Sequence, residues 1–276
     1  MRASLLILAL ALGLGADTFD VGGKRLVIPP PQGFTLVTSE MNAVYRMSQQ
    51  LSDPNNKLIA YYIPDSLVPA AKAGLLPSLP KAFLFKVNKD IKKLKFGIDD
   101  FKKLKESVKA ENDEIYRDDN SKTSEVMKGT SEGISKEFNV DFSAKISRMV
   151  PLGSHFESEH ALAYSVYIDY AYAAAGQKGN AVVVSTVNIA NVSGKVLFFY
   201  CTAPKDELKW TRASSRDWVE RILAVNPPPP SRTFGLGAID WSTNVVKAIV
   251  WGCICALITG VLGVIQKTKD KRKDKA

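Results

Sequence analysis

The chain has 276 residues, 46% of them hydrophobic, which is ordinary for a globular protein and enough to bury a core. Its formal charge of +9 would ordinarily suggest nucleic acid as a partner. However, Lys267, Lys269, Lys271, Arg272, Lys273 and Lys275 gather at the C-terminus against two aspartates. The rest carries only a mild basic excess, so no nucleic-acid partner is expected. Three cysteines cannot build a disulfide scaffold, and Cys253 and Cys255 lie in an apolar run. Cys201 is left as a buried small hydrophobe, because Leu197, Phe199 and Cys201 alternate along one strand face.

In chain order, residues 1–16 read as a signal peptide. Arg2 supplies the positive end, Leu5 to Leu14 the apolar stretch, and Gly13, Gly15 and Ala16 the small residues that a signal peptidase needs. Residues 17–225 form the exported domain. Phe19 and Val21, then Gly22-Gly23, then Leu26 and Ile28 predict a two-residue hairpin, ended by Pro29 to Pro31. A helix is expected from Ser39, capped by its hydroxyl, through Met41, Val44, Met47 and Leu51. Asp53-Pro54-Asn55-Asn56 is a turn, and Leu58 to Ile63 and Ala82 to Val87 are short strands.

Lysines dominate from Lys81 to Lys109, where Ile98, Phe101, Leu104 and Val108 are spaced for one buried helical face with a wet basic side opposite. Glu111 to Lys136 is mostly polar and fits either a solvated helix extension or a mobile loop. Tyr164, Val166, Ile168, Tyr170 and Tyr172 alternate with smaller or polar residues and predict a long strand with one buried face. Val182 to Ile189 and Val196 to Thr202 flank a turn at Asn191 to Gly194 and should pair. Leu208, Ser215, Trp218, Val219, Ile222 and Leu223 mark a closing helix. The fold class expected is α+β, an antiparallel sheet with helices packed on one face, plus one C-terminal transmembrane helix.

Residues 226–243 read as a linker, with Pro227 to Pro230 stiff and extended, holding the domain off a bilayer. Residues 244–266 are the membrane helix. Ala248 to Ile265 is a run of eighteen residues without a charge, and counted from Val245 it spans roughly 31 Å as a helix. Trp241 and Trp251 suit the interface, and the basic tail 267–276 places that end in the cytosol. Gly252, Ala256 and Gly260 recur every four residues, a small-residue face on which a second helix could close.

The stretch LVIPPPQGFTLV and the segment SGKVLFFYCTAPKDELKWTRASSRDWVERILAVN resemble a family of exported, membrane-anchored bacterial proteins of unknown function. The order of hairpin, helix, antiparallel strands and closing helix is similar to the PsbP/Mog1-like fold. The resemblance implies a bacterial envelope setting and the α+β class, and brings no catalytic motif with it.

Candidate chemistry is sparse. Gly129-Thr130-Ser131-Glu132-Gly133 matches the nucleophile-elbow pattern, which requires a strand before the serine and a helix after it, with His155 or His160 as the base. His155 and His160 flank Glu157 and Glu159, but a separation of five residues points the two rings apart, and an exposed turn near Pro151-Leu152-Gly153 is expected. Asn191-Val192-Ser193 is a glycosylation pattern that matters only in a eukaryotic source. No cofactor or metal is expected. The sequence reads as a single-pass, membrane-anchored binding or interaction module of the bacterial periplasm, without catalysis. Its partners would be membrane lipids and, through its helix, a second copy or another membrane protein. An envelope serine hydrolase using Ser131 is the alternative.

Overall fold

The computed structural model describes residues 16 to 234, apart from the single positions 54, 119, 175 and 230. The expected signal peptide, up to residue 15, and the membrane helix and basic tail lie outside the described residues, as do Gly252, Ala256 and Gly260. Among the described residues no helix is long and apolar enough to cross a membrane.

The domain is α+β and antiparallel. Strands β1 (Asp17–Val21) and β2 (Lys24–Ile28) form a separate hairpin. The main sheet contains β3 (Phe34–Leu36), β4 (Asn56–Pro64), β5 (Ala82–Asn88), β6 (Phe142–Glu157), β7 (Ala161–Ala174), β8 (Gln177–Val192) and β9 (Lys195–Pro204). Its order is β3-β4-β5-β9-β8-β7-β6, all neighbours antiparallel. Two meanders therefore meet where β5 pairs with β9. The chain crosses from β5 to the far edge through helices α3 (Ile98–Asp118) and α4 (Asn120–Phe138).

The alternation read in β7 is seen: Tyr164, Val166, Ile168 and Tyr170 all enter one core cluster, with Tyr172 partly buried against it. The β8–β9 hairpin closes through Ser193 and Gly194, both at positive φ (51° and 85°), the backbone twist that matches paired strands. Burial pushes the Cys201 thiol well above its usual pKa, as its place on the buried face of β9 requires.

Helices cover both faces of the sheet, not one. Helices α1 (Asn42–Gln49) and α2 (Val68–Lys72), together with α3 and α4, pack on the first face through Val44, Met47, Ala71, Phe101, Leu104 and Ile134. The closing helix α5 (Leu208–Val225) and the β1–β2 hairpin pack on the second through Trp218, Val219, Ile222, Val21, Leu26 and Ile28. The reason lies in β4, β5 and β9, which are apolar on both sides. Leu84 faces the first core while Phe83 and Phe85 face the second, and Phe198 and Phe199 divide likewise. A strand buried twice needs two covering layers.

Local expectations shift too. Helix α1 begins at Asn42 with Met41 at its N-cap and no side-chain cap, so Ser39 does not serve there. The polar segment after Glu111 is helical: Met127, Ile134 and Phe138 are buried against β6, giving α4 a narrow apolar stripe. Residues 151–153 lie within β6, whose register slips between Leu152 and Phe156, in place of the exposed turn expected there.

Candidate functional site

The catalytic constellation does not assemble. Gly129 to Gly133 lie inside α4, without the strand and sharp turn an elbow requires. The Ser131 hydroxyl accepts the Ala144 backbone N–H at 3.1 Å, and Ser135 both accepts from Phe142 N and donates to Phe142 O, so these serines tie α4 to β6. A groove of about 710 Å³ runs along this contact, lined by Met127, Ser131, Ser135, Phe142 and Lys145. Ser131 therefore sits against the first face of the sheet. His155, by contrast, feels the charge of Arg212 in α5, on the second face. Burial, with Arg212 adding to it, lowers His155 from its ordinary 6.5 to about 4, so the ring is neutral at physiological pH. His160 lies 3.4 Å from Glu159, and its backbone carbonyl accepts Asn191 N–H. Among the described residues no cluster of three or more His, Cys, Asp or Glu side chains is placed to hold a metal ion.

The lysine-rich stretch is not a uniform wet face. Lys86 and Asp53 are both fully buried, 3.0 Å apart, beneath the first face. Asp53 also accepts from the backbone of Asn55 and Asn56 and from the Asn56 side chain, so every lone-pair direction is used and the buried charge is tolerated. Lys105 and Lys109 both reach Glu157 at the end of β6 (3.0 and 2.9 Å). Lys81 pairs with Glu207 and stands over the Trp210 ring.

The most constructed region is the end of the domain where the β1–β2, β5–α3 and β8–β9 connections meet. There the Lys195 ammonium donates to three backbone carbonyls: Gly22 at 3.1 Å, Lys92 at 2.9 Å and Leu94 at 3.0 Å. Burial and the neighbouring Lys95 lower its pKa, which Asp20 partly opposes. Asn191 is buried, donates to the carbonyls of Phe96 and Gly97 and accepts Gly194 N–H, so the glycosylation pattern is shut inside the fold.

The proline-rich segment returns to this end instead of leading away. The Asn226 side chain exchanges hydrogen bonds with the backbone of Val27, in the manner of another strand. Ser193 then holds the Pro227 carbonyl at 2.6 Å, and Pro229 is buried near Gly194. Arg232 meets Asp99 at 3.1 Å, and its carbonyl accepts Asp99 N–H. Asp100 accepts from Gly97 N, Thr233 Oγ1 and Phe234 N. Burial would raise the Asp100 carboxyl, but those donors, with Lys103, outweigh it and hold it below the usual carboxylate range. Gly97 is required: a Cβ there would run into the backbone of Arg232. As far as Phe234, the expected linker is a strap lashed to the start of α3.

Sequence reasoning missed the strap because its cues are single polar residues, Asn226 and Asp100, whose partners stand 199 and 133 positions away. No family model matches the chain, and no curated protein matches it in sequence. Among solved structures it is similar to the solution structure of cyanobacterial PsbP (CyanoP) from Synechocystis sp. PCC 6803. The match is 9% identical, covers 75% of this chain and 93% of that one, and has a TM-score of 0.27. That is a faint likeness of fold, and no functional statement rests on it.

Proposed function

We propose that the chain is a membrane-anchored module of the bacterial envelope that works by contact, not catalysis. In this reading the domain is exported behind the signal sequence of residues 1–16, held by the apolar run from Val245 and oriented by the basic tail. The observation that carries it is the strap. A domain with no anchor after α5 would gain nothing from tying the residues that follow to itself through partly buried hydrogen bonds, whereas a domain that must keep one orientation to its anchor would. Ser131, the residue of the alternative reading, is engaged in helix-to-sheet packing.

Labelling of single cysteines from outside intact cells tests the topology. Reagent should reach position 178 and be denied to position 274, and the reverse pattern would overturn the reading. Leucine at Gly252 and Gly260 should abolish helix pairing in a membrane crosslinking assay, while leucine at Ile254 should leave it intact. Equal crosslinking in both would overturn the glycine face as the contact.

A further inference from the structure

Resting on the membrane-anchored reading, we infer that the strap end of the domain is a docking surface for anionic phospholipid headgroups. Lys24 follows the β1–β2 turn, and Lys92, Lys93 and Lys95 belong to the β5–α3 connection. Lys195 draws the carbonyls of Gly22, Lys92 and Leu94 onto one ammonium, which makes these two loops a single continuous surface. Lys24, Lys93 and Lys95 are exposed and make no ion pair among the described residues.

The acidic groups at this end are largely spoken for. Asp99 holds Arg232, Glu157 holds Lys105 and Lys109, Glu159 stands beside His160, and Asp20 faces Arg25 across the hairpin and accepts Gly23 N–H. Asp90 and Glu106 are the exposed exceptions. The surface is thus an excess of solvated lysines, compact charges suited to a diffuse anionic layer more than to a bidentate ligand.

The strap decides what meets these charges. It passes the Ser193–Gly194 turn and reaches Asp100 at the same end, and only residues 235–244 separate Phe234 from the apolar run at Val245. Even fully extended, such a segment reaches only about 35 Å, so the tether makes the encounter of the lysines with the bilayer an intramolecular event. Headgroup attraction falls off within about 8 Å at physiological salt, and within that range each basic residue shifts partitioning roughly fivefold. A soluble polyanion would have to compete with a charged surface that the tether keeps at hand.

The test uses the full chain reconstituted into vesicles of phosphatidylcholine, with or without phosphatidylglycerol. Alanine replaces Cys253 and Cys255, and a fluorophore is placed through Lys93→Cys or, at the opposite end of the domain, through Lys209→Cys. Acrylamide quenching at position 93 should fall several-fold in the anionic vesicles, return in high salt, and be restored by Lys24→Glu with Lys95→Glu. Position 209 should not respond, and Lys178→Glu with Lys205→Glu should leave the protection at position 93 intact. A chain stripped from vesicles by alkaline extraction would sink the anchored reading and this inference with it. A chain that stays in the bilayer while position 93 is quenched equally in both lipids would overturn the headgroup surface alone. Protection by an added oligonucleotide but not by phosphatidylglycerol would reassign the surface to a soluble polyanion.

Discussion

The two faces of the sheet are closed by different physics. The second face carries one long helix and an aromatic cluster: the Trp218 ring lies edge-on to Tyr62, Phe83 and Phe199 at 5.1 to 5.5 Å, and its indole N–H donates to Pro29 O at 2.8 Å. The first face carries four helices over a core of aliphatic and aromatic side chains, Tyr61, Phe101 and Phe198 among them, and includes the buried Lys86–Asp53 pair. Polar groups follow the same division. Beneath α5 a chain of hydroxyls runs from the Arg212 guanidinium Nε through Ser165, Thr186 and Thr211 to the Leu208 carbonyl, each hydroxyl accepting one bond and donating the next. On the first face a buried ion pair stands beside the neutral serine ties from α4 to β6. A single helix can be organised around one large buried residue, whereas a face shared by four helices also uses specific polar ties, those from Ser131 and Ser135 to β6 among them.

Substitutions should separate the faces. Trp218→Ala should be the most damaging, costing roughly 3 to 5 kcal/mol in denaturant unfolding, because the ring is fully buried and no neighbour can fill its volume. A loss below 1 kcal/mol would mean that α5 is held by its other contacts. Asp53→Ala should come close, at about 3 kcal/mol or more, since it strands the Lys86 ammonium without its carboxylate. Asp53→Ala combined with Lys86→Met should recover much of that loss, and failure to recover would locate the cost in the Asn55–Asn56 turn instead.

Smaller effects should sharpen the picture. Ser135→Ala breaks the two bonds from α4 to Phe142 and should cost about 1 kcal/mol, with hydrogen exchange quickening in α4 but not in α5. Faster exchange in both helices would show the faces to be one cooperative unit. A pH dependence is also expected from His155. Its charged form is disfavoured in the fold, so the unfolded chain binds the extra proton first. Stability on this account is full above the ordinary 6.5, falls as pH drops towards about 4, and changes no further below that. His155→Gln should flatten this slope between pH 6.5 and 4.5 in midpoint measurements, and an unchanged slope would assign it to other groups.

The difference between the faces also explains what could be read in advance. Helix α5 and strands β7 to β9 announce themselves, because apolar residues recur at the period of the element and that period is local. Helix α4 does not: its stripe is only Met127, Ile134 and Phe138, and its serines look like loop residues until β6 supplies their partners. Strand β6 was hidden for a related reason. It is an edge strand, largely exposed, and interrupted by Pro151 and Gly153 at a register slip.

The sequence by itself determined the α+β class, the hairpins, the closing helix with its buried tryptophan, and the buried state of Cys201, since each follows from side chains within one or two turns of chain. Only the tertiary structure decided that both faces of the sheet are covered, that Lys86 is an internal charge and Lys93 an external one, and that the residues after Pro227 turn back as a strap. For the lysines and the strap the deciding partner is distant along the chain: Asp53 for Lys86, Lys195 for the Lys92–Leu94 loop, Asp100 for Thr233. A lysine or an aspartate has the same local pattern whether it is solvated or paired, and its partner, brought near only by folding, tells the two apart.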